Sequence, residues 1–340
     1  MDFKEYQKIA SQIRVDIVKQ VHSAGSGHPG GSLSAADIVT ALYFKEMNID
    51  PKDPDMKGRD KFVLSKGHAA PVQYAALAER GYFPVEDLLT LRKLGSYLQG
   101  HPNRDKVPGV EMSTGSLGQG FAVCVGMALA NKLDNDPGRI YTLLGDGELQ
   151  EGLIWEAAMA SGHYKLDNLC VIVDWNGLQI DGNNDDVITV KPIDEKFEAF
   201  GFNVIVIDGH NFEEIETALA KARETKGVPT VIIANTTKGK GVSFMENQAG
   251  WHGNAPNDEQ YEKAVAEINK QIAMVEAESG ELSGYGDAKT KLLANGIDIS
   301  NYKPDFSSFR NFWKNEWKWV KQTFGNAEEA YDAGKAMAKA

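Results

Sequence analysis

Apolar residues recur every three or four positions over residues 3–22 and again over 34–47, "SAADIVTALYFKEM", so both stretches read as amphipathic helices. Between them lies the glycine-rich "AGSGHPGGSLS". Glycine costs about 1 kcal/mol in a helix interior, so this segment reads as a turn and not as helix. "DKFVLSKGHAA" reads as a short strand turning into the helix "PVQYAALAERG". "GSLGQGFAVCVGMALANKL" reads as a glycine turn followed by a helix of small residues. From residue 139 the chain alternates between strands ("RIYTLLG", "NLCVIVDWN", "FNVIVIDG", "PTVIIANTT") and helices ("LQEGLIWEAAMASGHYKL", "KPIDEKFEAFG", "FEEIETALAKARETKG"). Strands that are continuous Val/Ile/Leu runs are buried on both faces, and amphipathic helices between them supply the cover. The expected fold class is α/β, a parallel sheet with helices on both faces. In such sheets ligands bind beyond the carboxyl ends of the strands, and Asp146, Asn176, His210 and Lys238 each follow a strand-like run.

After about residue 275 the pattern changes, which places a domain over 1–275 and a C-terminal extension over 276–340. A helix is expected around 306–323, where "FRNFWKNEWKWVKQTF" sets Phe309, Phe312, Trp313, Trp317 and Trp319 among lysines. The chain has 340 residues, 42% of them hydrophobic and 25% charged, which suits one large domain plus an extension. A net charge of -12 argues against nucleic acid or an anionic membrane as partner, and any anionic small molecule would need local cations. No signal-peptide core and no window of membrane-span length stand out, so a cytoplasmic location is expected. Cys124 and Cys170 sit inside apolar runs and read as buried, reduced core thiols.

The strand "RIYTLL" runs into "GDGELQEG", which sets Asp146 between two glycines where a ligand backbone could approach. A carboxylate there repels a phosphate unless a cation stands between them. Thirty residues on, Asn176 follows the next buried strand. An Asp, an Asn and a turn carbonyl suit a hard divalent ion such as Mg²⁺ or Ca²⁺, with diphosphate oxygens completing its shell. A dinucleotide site would need G-x-G-x-x-G opening a helix, a spacing that this segment lacks. From these spacings alone, a plain strand–helix turn remains the rival reading.

The segment "GDGELQEGLIWEAAMASGHYKLDNLCVIVDWNGLQIDG" resembles the thiamine-diphosphate motif, which opens with G-D-G and closes with an Asn about thirty residues later. In the same order, "SGHPGGSLS", "LSKGHAAPVQYAAL", "GHP…STGSLGQGFAVCVGMALA" and "WHGNAP" resemble the amino-terminal, diphosphate-binding domain of transketolase over about residues 5–260. The resemblance implies a thiamin diphosphate-binding fold and a chain that uses thiamine diphosphate with Mg²⁺ (or Ca²⁺ or Mn²⁺). It assigns the metal to Asp146, Asn176 and the Leu178 carbonyl. It assigns the cofactor to His68, Gly115, Ser116, Leu117, Gly147, Asn176 and His252. As catalytic residues, His28, His101 and His252 would face the reacting sugar, and Glu151 and Glu156 would run toward a subunit interface and its proton-relay network. Imidazoles suit chemistry that moves protons on and off sugar oxygens, and Lys238 or Lys240 could offset phosphate charge. His22, His163 and His210 match nothing in the family and read as structural. Where the family often has a further histidine, three residues before His252, this chain has Ala249.

Transketolases continue into a pyrimidine-binding domain, and the residues after 275 leave no room for one. The resemblance therefore implies the amino-terminal subunit of a split transketolase, a transferase moving a two-carbon ketol unit from a ketose phosphate to an aldose phosphate. It would work as an α2β2 heterotetramer with a separately encoded C-terminal subunit. The alternatives are a transketolase for a sulfo- or deoxy-sugar, another thiamine-diphosphate enzyme subunit, and a non-catalytic assembly protein.

Overall fold

The computed structural model describes residues 2–278. The aromatic helix expected around 306–323, with the extension around it, lies outside the described residues.

Helix α1 (Phe3–Ala24) opens on a capping box, in which the Asp2 carboxylate takes the Lys4 N–H and the Glu5 side chain takes the Asp2 N–H, and it stops at Gly25 with φ +58°. The glycine-rich segment after it is not the turn that its composition predicts. It contains a helix, α2 (Pro29–Ser34), with Pro29 at its first position. Packing overrides glycine's low propensity here, because a Cβ on Gly30 would lie 2.8 Å from the Trp251 carbonyl. The following helix divides into α3 (Ala36–Ala41) and a π turn, Leu42–Glu46. Strand β1 (Lys61–Leu64) then leads to α4 (Ala70–Arg80).

Helix α5 (Gln119–Asp134) is followed by β2 (Ile140–Gly145), a 3₁₀ turn over Gly147–Gln150 and α6 (Gly152–His163). Strand β3 (Leu169–Trp175) runs into a small hairpin, β4 (Leu178–Gln179) and β5 (Gly182–Asn183), which the sequence reading did not foresee. Helices α7 (Asn184–Val187) and α8 (Ile193–Ala199), strand β6 (Asn203–Asp208), helix α9 (Phe212–Glu224) and strand β7 (Thr230–Asn235) complete the alternation. A last helix, α10 (Asp258–Glu278), was likewise not foreseen. None of the helices among the described residues is long and apolar enough to cross a membrane.

The five main strands form one parallel sheet in the order β1-β2-β3-β7-β6. Successive side chains alternate between two apolar layers. Tyr141, Leu143, Cys170, Ile172 and Ile232 pack with α1, α3, α4 and α9 on one face. Val63, Ile140, Leu144, Val171, Val173 and Ile233 pack with Phe121, Ile154 and Phe197 on the other. Burial on both faces explains the unbroken apolar runs. Cys124 and Cys170 are free and buried in these layers. The register sets Gly145 opposite Asp174, and Trp175 opposite Asn235, so β2, β3 and β7 end at one level. The residues after those ends share one rim.

Candidate active site

Asp146 follows β2 directly and is 2% exposed. Its Oδ1 accepts the Gly147 N–H at 2.8 Å and its Oδ2 the Gly177 N–H at 2.5 Å. The second bond ties the end of β2 to the Asn176–Gly177 turn after β3, where Gly177 has φ +78°. Burial, reinforced by Asp174, pushes the Asp146 carboxyl up to about 6, against the pull of the Gly177 N–H, the Lys238 ammonium and the Asn184 amide. Asn176 Oδ1 accepts the Leu178 N–H at 3.1 Å, a turn that fixes the asparagine oxygen beside its own backbone. The Leu178 carbonyl takes a bond from Lys238 Nζ at 2.8 Å.

These residues fit a hard cation. Among the described residues no group of three His, Cys, Asp or Glu side chains could hold a metal, so a cation at this rim would draw on amide and main-chain oxygen as well. Asp146, the Asn176 amide oxygen and the Leu178 carbonyl are such donors. The Leu178 carbonyl already faces a positive charge. Beside Asp146, Asn184 is 3% exposed; its amide draws the Asp146 carboxyl down, and its Oδ1 makes no hydrogen bond. Buried polar atoms without partners cost free energy, and a bound polar group would relieve it.

Glycines shape a cradle next to this rim. A Cβ on Gly147 would lie 3.2 Å from Gln179 Cβ and 3.5 Å from Asn184 Oδ1. Gly115 has φ +151°, and a Cβ on it would stand 3.1 Å from the His101 ring. Gly118, at φ +85°, opens α5, so Gly115, Ser116 and Leu117 form the loop over a helix N-terminus, a setting that favours anions.

Three of the four expected histidines converge. The rings of His28 and His68 are 5.2 Å apart between centroids, His28 and His252 are 5.4 Å apart, and His68 and His252 are 5.1 Å apart. Burial holds their basicity down, helped by Lys238 and neighbouring charges: the pKa of His28 falls to about 4, that of His252 to about 3, and that of His68 well below the usual range. His101 stands at the edge, exposed, its ring packed on Gly115. His210 is structural: its Nδ1 pairs with Asp37 at 2.7 Å, and its Nε2 accepts the Thr237 N–H at 2.8 Å. Glu151 and Glu156 are exposed, at the start and along the outer side of α6, and enter no ion pair among the described residues.

Sequence reading missed four charged residues of this site. Asp174, fully buried at the end of β3, accepts from Lys66, Ser34 and Thr236. Burial would raise its pKa, but Lys66 and these donors hold it below the usual carboxylate range. Glu148 accepts from Ser65 Oγ at 2.5 Å, from the Gly118 N–H at 2.8 Å and from the Gly145 N–H at 3.0 Å, joining the ends of β1 and β2 to the start of α5. Arg92 reaches His28 from a loop. Each is charged, and contacts that include partners distant along the chain bury Lys66, Glu148 and Asp174 and half-bury Arg92.

A parallel α/β sheet whose rim joins a buried carboxylate, an asparagine, a glycine cradle and a histidine cluster defines a cofactor-dependent enzyme that handles a charged, oxygen-rich ligand. The family model described as "Transketolase, thiamine diphosphate binding domain" matches residues 5–279, and the chain belongs to that family. It is 46% identical over 269 residues to the 6-deoxy-6-sulfo-D-fructose transketolase subunit SqwG of a Clostridium species, covering 79% of this chain and 98% of that one. It is 44% identical to one subunit of the apulose-4-phosphate transketolase of Phocaeicola vulgatus, covering 78% of this chain and 94% of the relative. The solved transketolase of Campylobacter jejuni superposes with a TM-score of 0.74 at 34% identity, over 90% of this chain and 52% of that one. The chain thus spans nearly all of the two subunits but about half of the longer enzyme.

Proposed function

We propose that this chain is the amino-terminal subunit of a split transketolase, transferring a two-carbon ketol unit from a ketose phosphate to an aldose phosphate once a separately encoded C-terminal subunit supplies the pyrimidine-binding half. The observation that carries this is the convergence of His28, His68 and His252 beside the Asp146–Asn176 rim. When bound, thiamine diphosphate supplies the thiazolium carbon that holds the transferred unit. Asp146, Asn176 and Leu178 would hold Mg²⁺, or Ca²⁺ or Mn²⁺, against the diphosphate, and Gly115, Ser116, Leu117, Gly147 and His68 would line it.

His28 and His252, neutral at physiological pH, hold and pass protons at the sugar oxygens, and His101 meets the sugar at the mouth. Glu151 and Glu156 face outward, where the other half of an α2β2 assembly would cover them. Lys66 and Lys238 supply the local cations that an anionic ligand needs inside an acidic protein. A cytoplasmic location fits a family that acts on sugar phosphates. The two bacterial relatives are named for a sulfo-sugar and for apulose 4-phosphate, and an unusual sugar of this kind stays within the reading. A non-catalytic role is disfavoured by the intact rim and histidine cluster.

The test is reconstitution. The chain alone should show little ketol transfer, and the partner with thiamine diphosphate and Mg²⁺ should restore it. Robust turnover by the lone chain would overturn the split-site reading. Retention of the cofactor by the Asp146→Ala complex would overturn the metal bridge.

A further inference from the structure

Arg92 Nη2 lies 3.4 Å from His28 Nδ1. A guanidinium has only N–H groups to offer, so the nitrogen facing it must be the bare, accepting one. We propose that Arg92 fixes the tautomer of His28, so that this imidazole meets the substrate as an N–H donor through Nε2. The proposal rests on the reading that the histidine pocket receives the sugar.

The arginine is well placed to impose this choice. Its Nη1 donates to Ser26 Oγ at 3.0 Å, and its main-chain N–H donates to the Leu98 carbonyl at 2.8 Å. Its backbone adopts φ +59°, a left-handed conformation rare for a residue with a side chain. The guanidinium lies over Gly100, where a Cβ would come within 2.9 Å of its carbon. The fork is therefore held from its backbone, from its tip and from below.

The far end of the His28 ring lies beside Gly253, on the side of the histidine cluster. A Cβ on Gly253 would stand 3.4 Å from both Cδ2 and Nε2 of His28, and the His252 ring meets His28 edge to face. Burial and the positive charge of Arg92 keep His28 neutral, at about 4, so the ring carries one proton and Arg92 decides which nitrogen has it. A donor in this position stabilises negative charge developing on a substrate carbonyl or hydroxyl oxygen, whereas the other tautomer would present a lone pair to it. Arg92 thus acts through His28 as a positioning residue.

The tautomer can be read directly. Long-range ¹⁵N–¹H correlation spectra of the chain with labelled histidines, assigned with His28→Asn, should show Nε2 of His28 protonated and Nδ1 bare. Arg92→Met should yield a mixture or the opposite tautomer, and Arg92→Lys, another obligate donor, should keep the wild-type pattern. In the reconstituted complex, R92M should lose at least about tenfold in kcat with R92K recovering most of it. A protonated Nδ1 in the wild-type chain, or an unchanged tautomer in folded R92M, overturns the proposal. Absence of turnover by the wild-type complex would overturn the functional reading and leave the tautomer result standing.

Discussion

The Lys238 ammonium donates to the carbonyl oxygen of Leu178 across 2.8 Å, the oxygen that the family resemblance assigns to a divalent ion. Lys238 is buried, and burial draws its pKa down to about 8 although Asp146 pulls it up. A positive charge thus stands at the rim before any ion arrives. It answers two needs: it satisfies a carbonyl, and it offsets a buried carboxylate that would otherwise face Asp174 with only N–H donors around it.

Lys238→Met should therefore destabilise the ion-free chain. The expected loss is about 1–3 kcal/mol in urea denaturation at pH 7, where the wild-type lysine is still charged. Mg²⁺ with thiamine diphosphate should then stabilise K238M more than wild type, since the ion supplies the missing charge. Identical urea midpoints for the two ion-free proteins would contradict this account.

His28 and His252 make the fold sensitive to acid. Their folded values, about 4 and about 3, lie below the roughly 6.5 of a free histidine, so the unfolded chain takes up protons that the folded chain refuses. Stability on their account is present above about pH 6.5 and is lost as the pH falls below it. After discounting for partial exposure, each should contribute about 1 kcal/mol of loss by pH 5. His252→Gln should make the fall in denaturation midpoint between pH 7 and 5 distinctly shallower. An unaltered slope would mean that the buried imidazole titrates normally.

Strands β2, β3, β6 and β7 were readable because burial on both faces leaves long apolar runs, and Asp146 and Asn176 because each ends one of those runs. Helix α2 was not readable, since its Gly30 makes room for the Trp251 carbonyl more than 200 residues away in sequence. The β4–β5 hairpin was invisible because two-residue strands show no periodicity. Lys66 and Asp174 pair across 108 positions, and a lysine in "SKG" reads as solvated until that partner is placed. Local pattern marks where a strand ends; it does not say which distant charge is buried there.

Glu148 illustrates what such a hidden charge does. One carboxylate receives Ser65, Gly118 and Gly145 together, and burial raises its pKa against the pull of those donors. Glu148→Gln sets an amide N–H₂ against one of these donors. The chain should lose about 1–3 kcal/mol of stability. With the Gly115–Leu117 loop less firmly held, thiamine diphosphate should bind the reconstituted complex at least about tenfold more weakly, equivalent to about 1.4 kcal/mol. Calorimetric titration reads the second effect separately from the first. Unchanged affinity in a destabilised E148Q would confine Glu148 to the core.

A pair of carboxyl groups far from the site gives a pH effect of the opposite sign. Asp16 is buried in α1, with Oδ1 receiving Gln12 Nε2 at 3.1 Å and Lys19 Nζ within 3.6 Å. Its Oδ2 has no donor unless the neighbouring Glu79 of α4 carries a proton. Burial, reinforced by Asp16, pushes Glu79 up to about 7, so the two share that proton in neutral and mildly acidic solution. The folded value lies above the roughly 4.3 of a free glutamate. Stability from the pair is thus complete below that value and is lost as the pH rises through about 7. Glu79→Gln supplies a permanent donor to Asp16. It should match wild type near pH 5 and exceed it by about 1 kcal/mol at pH 8. If urea midpoints of E79Q and wild type run parallel from pH 5 to 8, no proton is shared between these residues.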